Sequence, residues 1–172
     1  DESARIPMLM SGPQIPKAET VETLASLVDI YPTVLQALGA EDDDIHRPGL
    51  SLQSVIDGAG TDRAVLSEYH DGGSPVGMFM LRTGKWKYNC YPGYPPELFD
   101  MTNDPDELCD LSQNPEYAKD LKRCHDKMCA LFNPAEANDL AFADQAQLIE
   151  QLGGVETIIN SEEFDHTPTH SG

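Results

Sequence analysis

The sequence predicts an α+β fold, in which a small antiparallel sheet of about four strands is packed by one amphipathic helix. Residues 78–88 indicate the centre of the sheet, because strand-like segments flank Gly84, which tolerates the positive φ of a tight turn. Further strands are predicted at residues 63–69 and 97–100. The helix is predicted over residues 116–132, where apolar side chains recur every three or four positions.

Two short strands are predicted near the start of the chain. Residues 4–11 form an apolar run that ends at Gly12 and Pro13, which is typical of a buried strand. Residues 21–24 are a second, weaker candidate. Pro7 limits the pairing of the first segment near its start.

The first helix is predicted over residues 30–38, because its apolar side chains fall on one face. Asp29 is the expected N-cap, and Gly39 is the expected C-terminal stop. A second short helix is predicted at residues 51–56.

The C-terminal part of the chain is predicted to be helical. Asn114 and Pro115 supply the N-cap and first position of the amphipathic helix, and an Ala-rich helix follows over residues 134–152. Residues 155–160 are compatible with a helical turn or a strand. Residues 161–172 form a polar tail that we expect to be extended.

The charge of the chain restricts its partners. The 172 residues include 30 Asp and Glu but 11 Lys and Arg, which gives a formal net charge of −19. Binding of nucleic acid or of an anionic membrane requires clusters of basic residues, so both are disfavoured. No apolar run in the sequence reaches the length of about 18 residues that a transmembrane helix needs.

The four cysteines are Cys90, Cys109, Cys124 and Cys129, and no CxxC pair occurs. A small secreted scaffold would carry a denser cysteine framework. This usage predicts reduced, mostly buried thiols in a cytoplasmic protein. A Cys90–Cys109 bridge remains an alternative.

Six segments in order carry a family resemblance: ARIPMLMSGP, VETLASLVDIYPTVLQALGA, RPGLSLQSVIDG, VLSEYH, FMLRTGKWKY and ELFDMTNDPDELCDL. This arrangement resembles the C-terminal part of the type I sulfatases, which belong to the alkaline-phosphatase-like superfamily. The resemblance covers about residues 1–131. In detail it is most similar to bacterial choline-sulfatases and phosphonate monoester hydrolases.

The resemblance implies that the catalytic groups lie outside this chain. In such enzymes a large α/β domain holds a calcium ion and a formylglycine that is made from a Cys or Ser in a C/S-x-P-x-R motif. None of the four cysteines has both Pro two positions on and Arg four positions on. We therefore assign no catalytic or metal-binding residue here, and we expect the chain to be an inactive C-terminal piece of a longer enzyme.

The resemblance also suggests how the chain is divided. Residues 1–61 would be the end of the large catalytic domain, and residues 62–132 would be the small sheet with its helix. Residues 133–172 would be a C-terminal helix and an extended tail.

The candidate substrate-binding residues are Tyr69, His70 and Asp71. They end a predicted strand and enter a Gly-rich loop, from which side chains can overhang a pocket. The resemblance implies that this loop approaches the end of the substrate that does not carry sulfate. Asp71 and a nearby ring could hold a cationic group there. The alternative is that His70 is an exposed loop histidine. Trp86 and Tyr88 are predicted to be core residues of the sheet.

The expected function of the whole protein is hydrolysis of a small sulfate monoester, in a homo-oligomer. Hydrolysis of phosphodiesters or phosphonates is the alternative within the same superfamily, because sulfate and phosphate esters share tetrahedral geometry. A non-catalytic oligomerisation module is the alternative from a different class.

Overall fold

The computed structural model describes residues 4–41, 46–70 and 74–160. Within these residues the chain forms five α-helices, four β-strands and two 3₁₀ turns. The elements in chain order are a 3₁₀ turn at Leu27–Asp29, α1 Ile30–Leu38, α2 Leu52–Ile56, β1 Ala64–Tyr69, β2 Met78–Thr83, β3 Trp86–Cys90, β4 Glu97–Asp100, a 3₁₀ turn at Pro115–Tyr117, α3 Ala118–Leu131, α4 Pro134–Gln151 and α5 Val155–Asn160.

The chain forms two compact units, Asp1–Pro134 and Ala135–Gly172. The first unit holds the sheet together with α1, α2 and α3, and the second holds α5 and nearly all of α4. The three-part division expected from the sequence stays a prediction. The predicted tail, residues 161–172, lies outside the described residues.

The sheet has the strand order β1-β2-β3-β4, and each neighbouring pair is antiparallel. The central hairpin closes through two residues, because Thr83 pairs with Trp86. Gly84 has a φ of 51° in this turn, a left-handed value that favours glycine. The predicted α+β fold with a four-stranded antiparallel sheet is therefore confirmed.

One face of the sheet packs against α3 to form the main core. Trp86 makes a T-shaped contact with Tyr117 at 5.8 Å between ring centroids, and Phe79 contacts Phe132 at 5.0 Å. Burying each such large side chain stabilises the fold by roughly 1.5–3 kcal/mol. The prediction that Trp86 and Tyr88 are core residues is confirmed. The buried core comprises Phe79, Leu81, Trp86, Tyr88 and Leu98 of the sheet, with Cys124 and Met128 of α3.

The start of α3 follows the sequence prediction in part: the helix begins at Ala118, and Asn114 caps the 3₁₀ turn that precedes it. The Asn114 side chain accepts a hydrogen bond from the Glu116 backbone N–H at 3.0 Å, and Pro115 opens the 3₁₀ turn that leads into the helix. The apolar stripe is narrower than predicted, because Leu131 is 56% exposed. Residues 155–160 are helical, which decides between the two alternatives that the sequence left open.

The two predicted strands near the start of the chain are wrong. In the described part of the chain, residues 4–11 and 21–24 form neither strand nor helix. A strand requires a neighbour that pairs its backbone N–H and C=O groups, and β1–β4 pair with one another instead. Apolar side chains in this part of the chain are open to solvent: Leu9 is 96% exposed and Leu38 is 75% exposed.

A buried ion pair joins the first part of the chain to the sheet. Asp29 is fully buried, and the Arg63 guanidinium donates to both of its carboxylate oxygens at 2.8 Å. The backbone N–H groups of Ser26 and Leu50 donate to the same carboxylate at 2.8 and 2.9 Å. Asp29 does not make the side-chain cap of α1 that the sequence predicted. The carboxylate instead pairs with the guanidinium of Arg63, which lies 34 residues further along the chain.

Gly49 lets the backbone come close enough to complete this site. Its φ is 113°, and a Cβ at this position would lie 2.6 Å from the Val28 carbonyl oxygen. Any side chain at position 49 would therefore displace the backbone there. The next residue, Leu50, donates its N–H to Asp29, so this hydrogen bond would be disturbed.

The ion pair should contribute to stability through the ionised carboxylate. Burial acts to raise the pKa of Asp29, but hydrogen bonds from Arg63, Leu50 and Ser26 outweigh it, so the pKa lies below the ordinary value of 3.8. Because folding lowers this pKa, the stabilisation is fully present above the unfolded pKa. It is lost as the pH falls through the lower folded pKa.

We expect Asp29→Ala to lower the free energy of unfolding by about 3–5 kcal/mol at pH 7, because it leaves a largely buried guanidinium unpaired. Chemical denaturation of the purified protein measures this loss. Asp57→Ala is the control, because Asp57 is exposed and its change should cost less than about 0.5 kcal/mol. The gap between wild type and Asp29→Ala should narrow below pH 4, as Asp29 becomes protonated. A gap that is small at pH 7, or that does not change with pH, would contradict the prediction.

Candidate functional site

The candidate site lies at the C-terminal end of β1. Tyr69 is the last residue of this strand and pairs with Met78, and His70 follows directly. Tyr69 is 46% exposed, and the His70 side chain is 29% exposed. Asp71 lies outside the described residues.

Tyr69 and His70 point to opposite faces of the sheet. Successive side chains alternate along a strand, and Glu68, which precedes Tyr69, pairs with Phe79. His70 contacts the same Phe79 ring at 5.2 Å in a T-shaped arrangement. The structure therefore places His70 with Glu68 and Phe79, and it places Tyr69 on the other face. Substrate binding by these residues stays a prediction.

His70 is held by its surroundings on two sides. One edge of its ring faces Phe79, and its Nε2 lies 3.6 Å from the Glu68 Oε2, an ion pair when the imidazole is protonated. A Cβ added to Gly77 would lie 2.7 Å from the His70 Cε1, 2.9 Å from its Nδ1 and 3.1 Å from the Phe79 Cε2. The absence of a side chain at Gly77 thus makes the room that the imidazole occupies, and the ring is positioned in advance of any ligand.

The described residues do not fit a calcium site. In residues 4–41, 46–70 and 74–160, no group of three or more His, Cys, Asp or Glu side chains could hold a metal ion. We therefore derive no catalytic step through a metal bound by these residues. The helices in those same ranges include none that is long and apolar enough to cross a membrane.

The cysteines differ from the sequence prediction in exposure. All four are free, so the alternative Cys90–Cys109 bridge is not formed. Cys124 is buried, but Cys109 and Cys129 are exposed, so the prediction of mostly buried thiols is wrong for these two. The reason is geometric: Cys129 lies five positions after Cys124, which turns it away from the buried face of α3.

A second group of polar side chains was missed by the sequence analysis. His125 of α3 lies between the Tyr88 hydroxyl, at 2.9 Å from its Nδ1, and the Cys129 sulfur, at 3.4 Å from its Nε2. The four-residue spacing of His125 and Cys129 was a readable signal, because such pairs meet on a helix. The contact with Tyr88 was not readable, because it spans 37 residues of sequence.

Comparison with known proteins identifies the class to which this sheet and its packed helix α3 belong. Residues 1–133 match the family model described as N-sulphoglucosamine sulphohydrolase, C-terminal. The chain belongs to this family, which confirms the resemblance found in the sequence.

Curated relatives with sulfatase names are similar over the same region. Arylsulfatase K of Mus musculus is 36% identical over 124 residues, which is 65% of this chain and 22% of the relative. Choline-sulfatase of Rhizobium meliloti (strain 1021) is 35% identical over 116 residues, 66% of this chain and 22% of the relative. The chain thus spans less than a quarter of the length of these two relatives.

Solved structures show the same likeness. A 2-O GAG sulfatase has a TM-score of 0.52 at 28% identity, over 60% of this chain and 23% of its own. The phosphonate monoester hydrolase of Agrobacterium radiobacter has a TM-score of 0.53 at 25% identity, over 64% of this chain and 25% of its own. These similarities confirm the fold class that the sequence predicted.

We expect Gly77→Ala to displace the His70 ring, because the new methyl group would stand 2.7 Å from its Cε1. Such overpacking should cost roughly 1–3 kcal/mol of stability. The His70 ring signals in a carbon–proton NMR spectrum report the displacement. Gly12→Ala is the matched control, since its methyl group would meet Ile15 at an ordinary 3.8 Å. Unchanged His70 signals in Gly77→Ala would refute this placement of the ring.

Proposed function

We propose that the protein containing this chain hydrolyses sulfate monoesters, and that residues 1–133 form the C-terminal part of the enzyme. The observation that carries this proposal is the family match over residues 1–133, which relatives named as sulfatases support. Type I sulfatases generally use a formylglycine and a calcium ion. The described residues contain no cluster that could hold a metal ion, and none of the four cysteines lies in a C-x-P-x-R motif, so the proposal assigns both groups to another part of the protein.

The role that we propose for this chain is to position groups beside the substrate. His70 is the principal candidate, because Phe79 and Gly77 fix its ring while 29% of the side chain stays open to solvent. An imidazole held in this way can donate or accept a hydrogen bond with the part of the substrate that leaves as the alcohol. Asp71 follows His70 directly and stays in the proposal as its neighbour. Tyr69 is a weaker candidate, because it faces the opposite side of the sheet.

A phosphonate or phosphodiester substrate is the second candidate. The similarity to the phosphonate monoester hydrolase, with a TM-score of 0.53, favours it specifically. Sulfate and phosphonate esters place similar tetrahedral groups in a site, so side chains at the alcohol end would serve either one. A comparison of the two substrate types decides between them.

The experiment is a comparison of aryl sulfate and aryl phosphonate esters as substrates of the full-length protein. We expect a higher kcat/KM for the sulfate ester, and no hydrolysis by residues 1–172 alone. His70→Ala should raise KM about three- to tenfold with little change in kcat, because one ground-state hydrogen bond is lost.

His125→Ala is the control, because His125 lies on α3 in contact with Tyr88, not at the end of β1. Its kinetic constants should match those of the wild type. A preference for the phosphonate ester would favour the second candidate, and turnover by residues 1–172 alone would overturn the placement of the catalytic groups. Equal constants for His70→Ala and wild type, across several alcohols, would remove His70 from the substrate site.

We also propose that the protein is a cytoplasmic homo-oligomer that takes a small sulfate ester and binds neither nucleic acid nor membrane. The free cysteines support a cytoplasmic location. The net charge of −19 disfavours binding to nucleic acid or to an anionic membrane. Exposed apolar side chains such as Leu9, Leu27 and Leu38 support self-association. Analytical ultracentrifugation of the full-length protein at micromolar concentration should show a species larger than the monomer. A monomer at every concentration would count against the homo-oligomer.

A further inference from the structure

Three side chains are linked by hydrogen-bond contacts that run from the sheet core to the protein surface. Tyr88 of β3 is 2% exposed, and its hydroxyl lies 2.9 Å from the Nδ1 of His125. The other ring nitrogen of His125, Nε2, lies 3.4 Å from the sulfur of Cys129. His125 and Cys129 are both exposed. The chain of contacts therefore begins at a buried phenol and ends at a thiol that solvent can reach.

The buried end of this chain fixes the imidazole. The Cys90 thiol is a second hydrogen-bond neighbour of Tyr88. Burial, with Cys90 as a further cause, raises the pKa of Tyr88 well above its ordinary value, so the phenol keeps its proton at neutral pH. The phenol can donate that proton to Cys90 while its oxygen accepts from the Nδ1–H of His125. With Nδ1 carrying its hydrogen in this way, Nε2 of the neutral imidazole is an acceptor that faces the Cys129 thiol.

We propose that Cys129 is a peroxide-sensitive modification site: the Nε2 of His125 takes the thiol proton, and Tyr88 fixes the imidazole in that position. The ligand class is hydrogen peroxide and small hydroperoxides. The reacting form of a cysteine is the thiolate, and a base beside the sulfur can take the thiol proton as the sulfur attacks. Tyr88 is a positioning residue, because it acts through His125.

The reaction balances without any further reactant. The Cys129 thiolate attacks one oxygen of hydrogen peroxide, so that an S–O bond forms while the O–O bond breaks. The leaving hydroxide takes the Nε2 proton of His125 and becomes water. The sulfur loses two electrons and the peroxide gains them, and the product is a sulfenic acid that thiols can reduce again.

The other cysteines lack this arrangement. Cys124 is fully buried and out of reach of a solute. Cys109 is exposed, but its backbone N–H donates to the Asp104 carboxylate at 2.9 Å, and Asp110 follows it directly. Cys109 is therefore an internal reference thiol, because it is also free and exposed and its neighbours Asp104 and Asp110 are acidic.

The experiment treats the reduced full-length protein with hydrogen peroxide in the presence of dimedone, which traps sulfenic acids. Mass spectrometry of the peptides then gives the labelling rates of Cys129 and Cys109 in the same molecules. We expect Cys129 to react about tenfold faster than Cys109. His125→Gln should reduce the Cys129 rate to the level of Cys109, and Cys109 should not change.

Lys122→Gln is the matched control, because it removes an exposed cation from α3 that pairs with Asp126. It should leave the Cys129 rate as in the wild type, which separates the specific imidazole from the general charge of the helix. Circular dichroism checks that His125→Gln is folded, and the comparison of the two wild-type thiols holds even where that variant is not. Equal rates at Cys129 and Cys109, or a Cys129 rate that His125→Gln leaves unchanged, would overturn the proposal.

Discussion

The buried pair of Asp29 and Arg63 is the contact on which the arrangement of the first unit depends. Four N–H donors converge on one carboxylate, two from the guanidinium and two from the backbone. Because Arg63 directly precedes β1, the same contact sets where the sheet begins. An uncompensated charge at this place would cost several kcal/mol, so the donors must assemble together. A polar interaction thereby decides how a poorly buried segment joins a well-packed sheet.

The buried side of the sheet supports the candidate site at the end of β1. Leu81, Tyr88 and Leu98 stand opposite one another across β2, β3 and β4, and all three are buried. Phe79 touches His70 on one side and Phe132, at the end of α3, on the other. The position of His70 therefore depends on packing at the far end of a helix whose sequence gives no sign of this role. A side chain that rests on a rigid core needs little ordering when a ligand binds.

Helix α3 packs one face against the sheet and exposes another face to solvent. Cys124 and Met128 are buried against the sheet, whereas His125 and Cys129, one position further on in each case, reach solvent. Since consecutive residues are offset by about 100° around a helix axis, neighbouring positions fall on different faces. Tyr88 links the two environments, because its ring belongs to the core while its hydroxyl meets His125. The same packing that stabilises the sheet thus also orients a polar group at the surface.

The sequence by itself determined the features that depend on near neighbours. The turn at Gly84, the cap at Asn114 and the period of α3 rest on contacts within a few residues, and all three were predicted correctly. Tertiary structure alone decided what Asp29 and Tyr88 contact, because their partners lie 34 and 37 residues away. It also decided that residues 4–11 form no strand, although their composition suits one. Local patterns state what a segment can become, and only the backbone groups and charges that meet it in space decide what it does become.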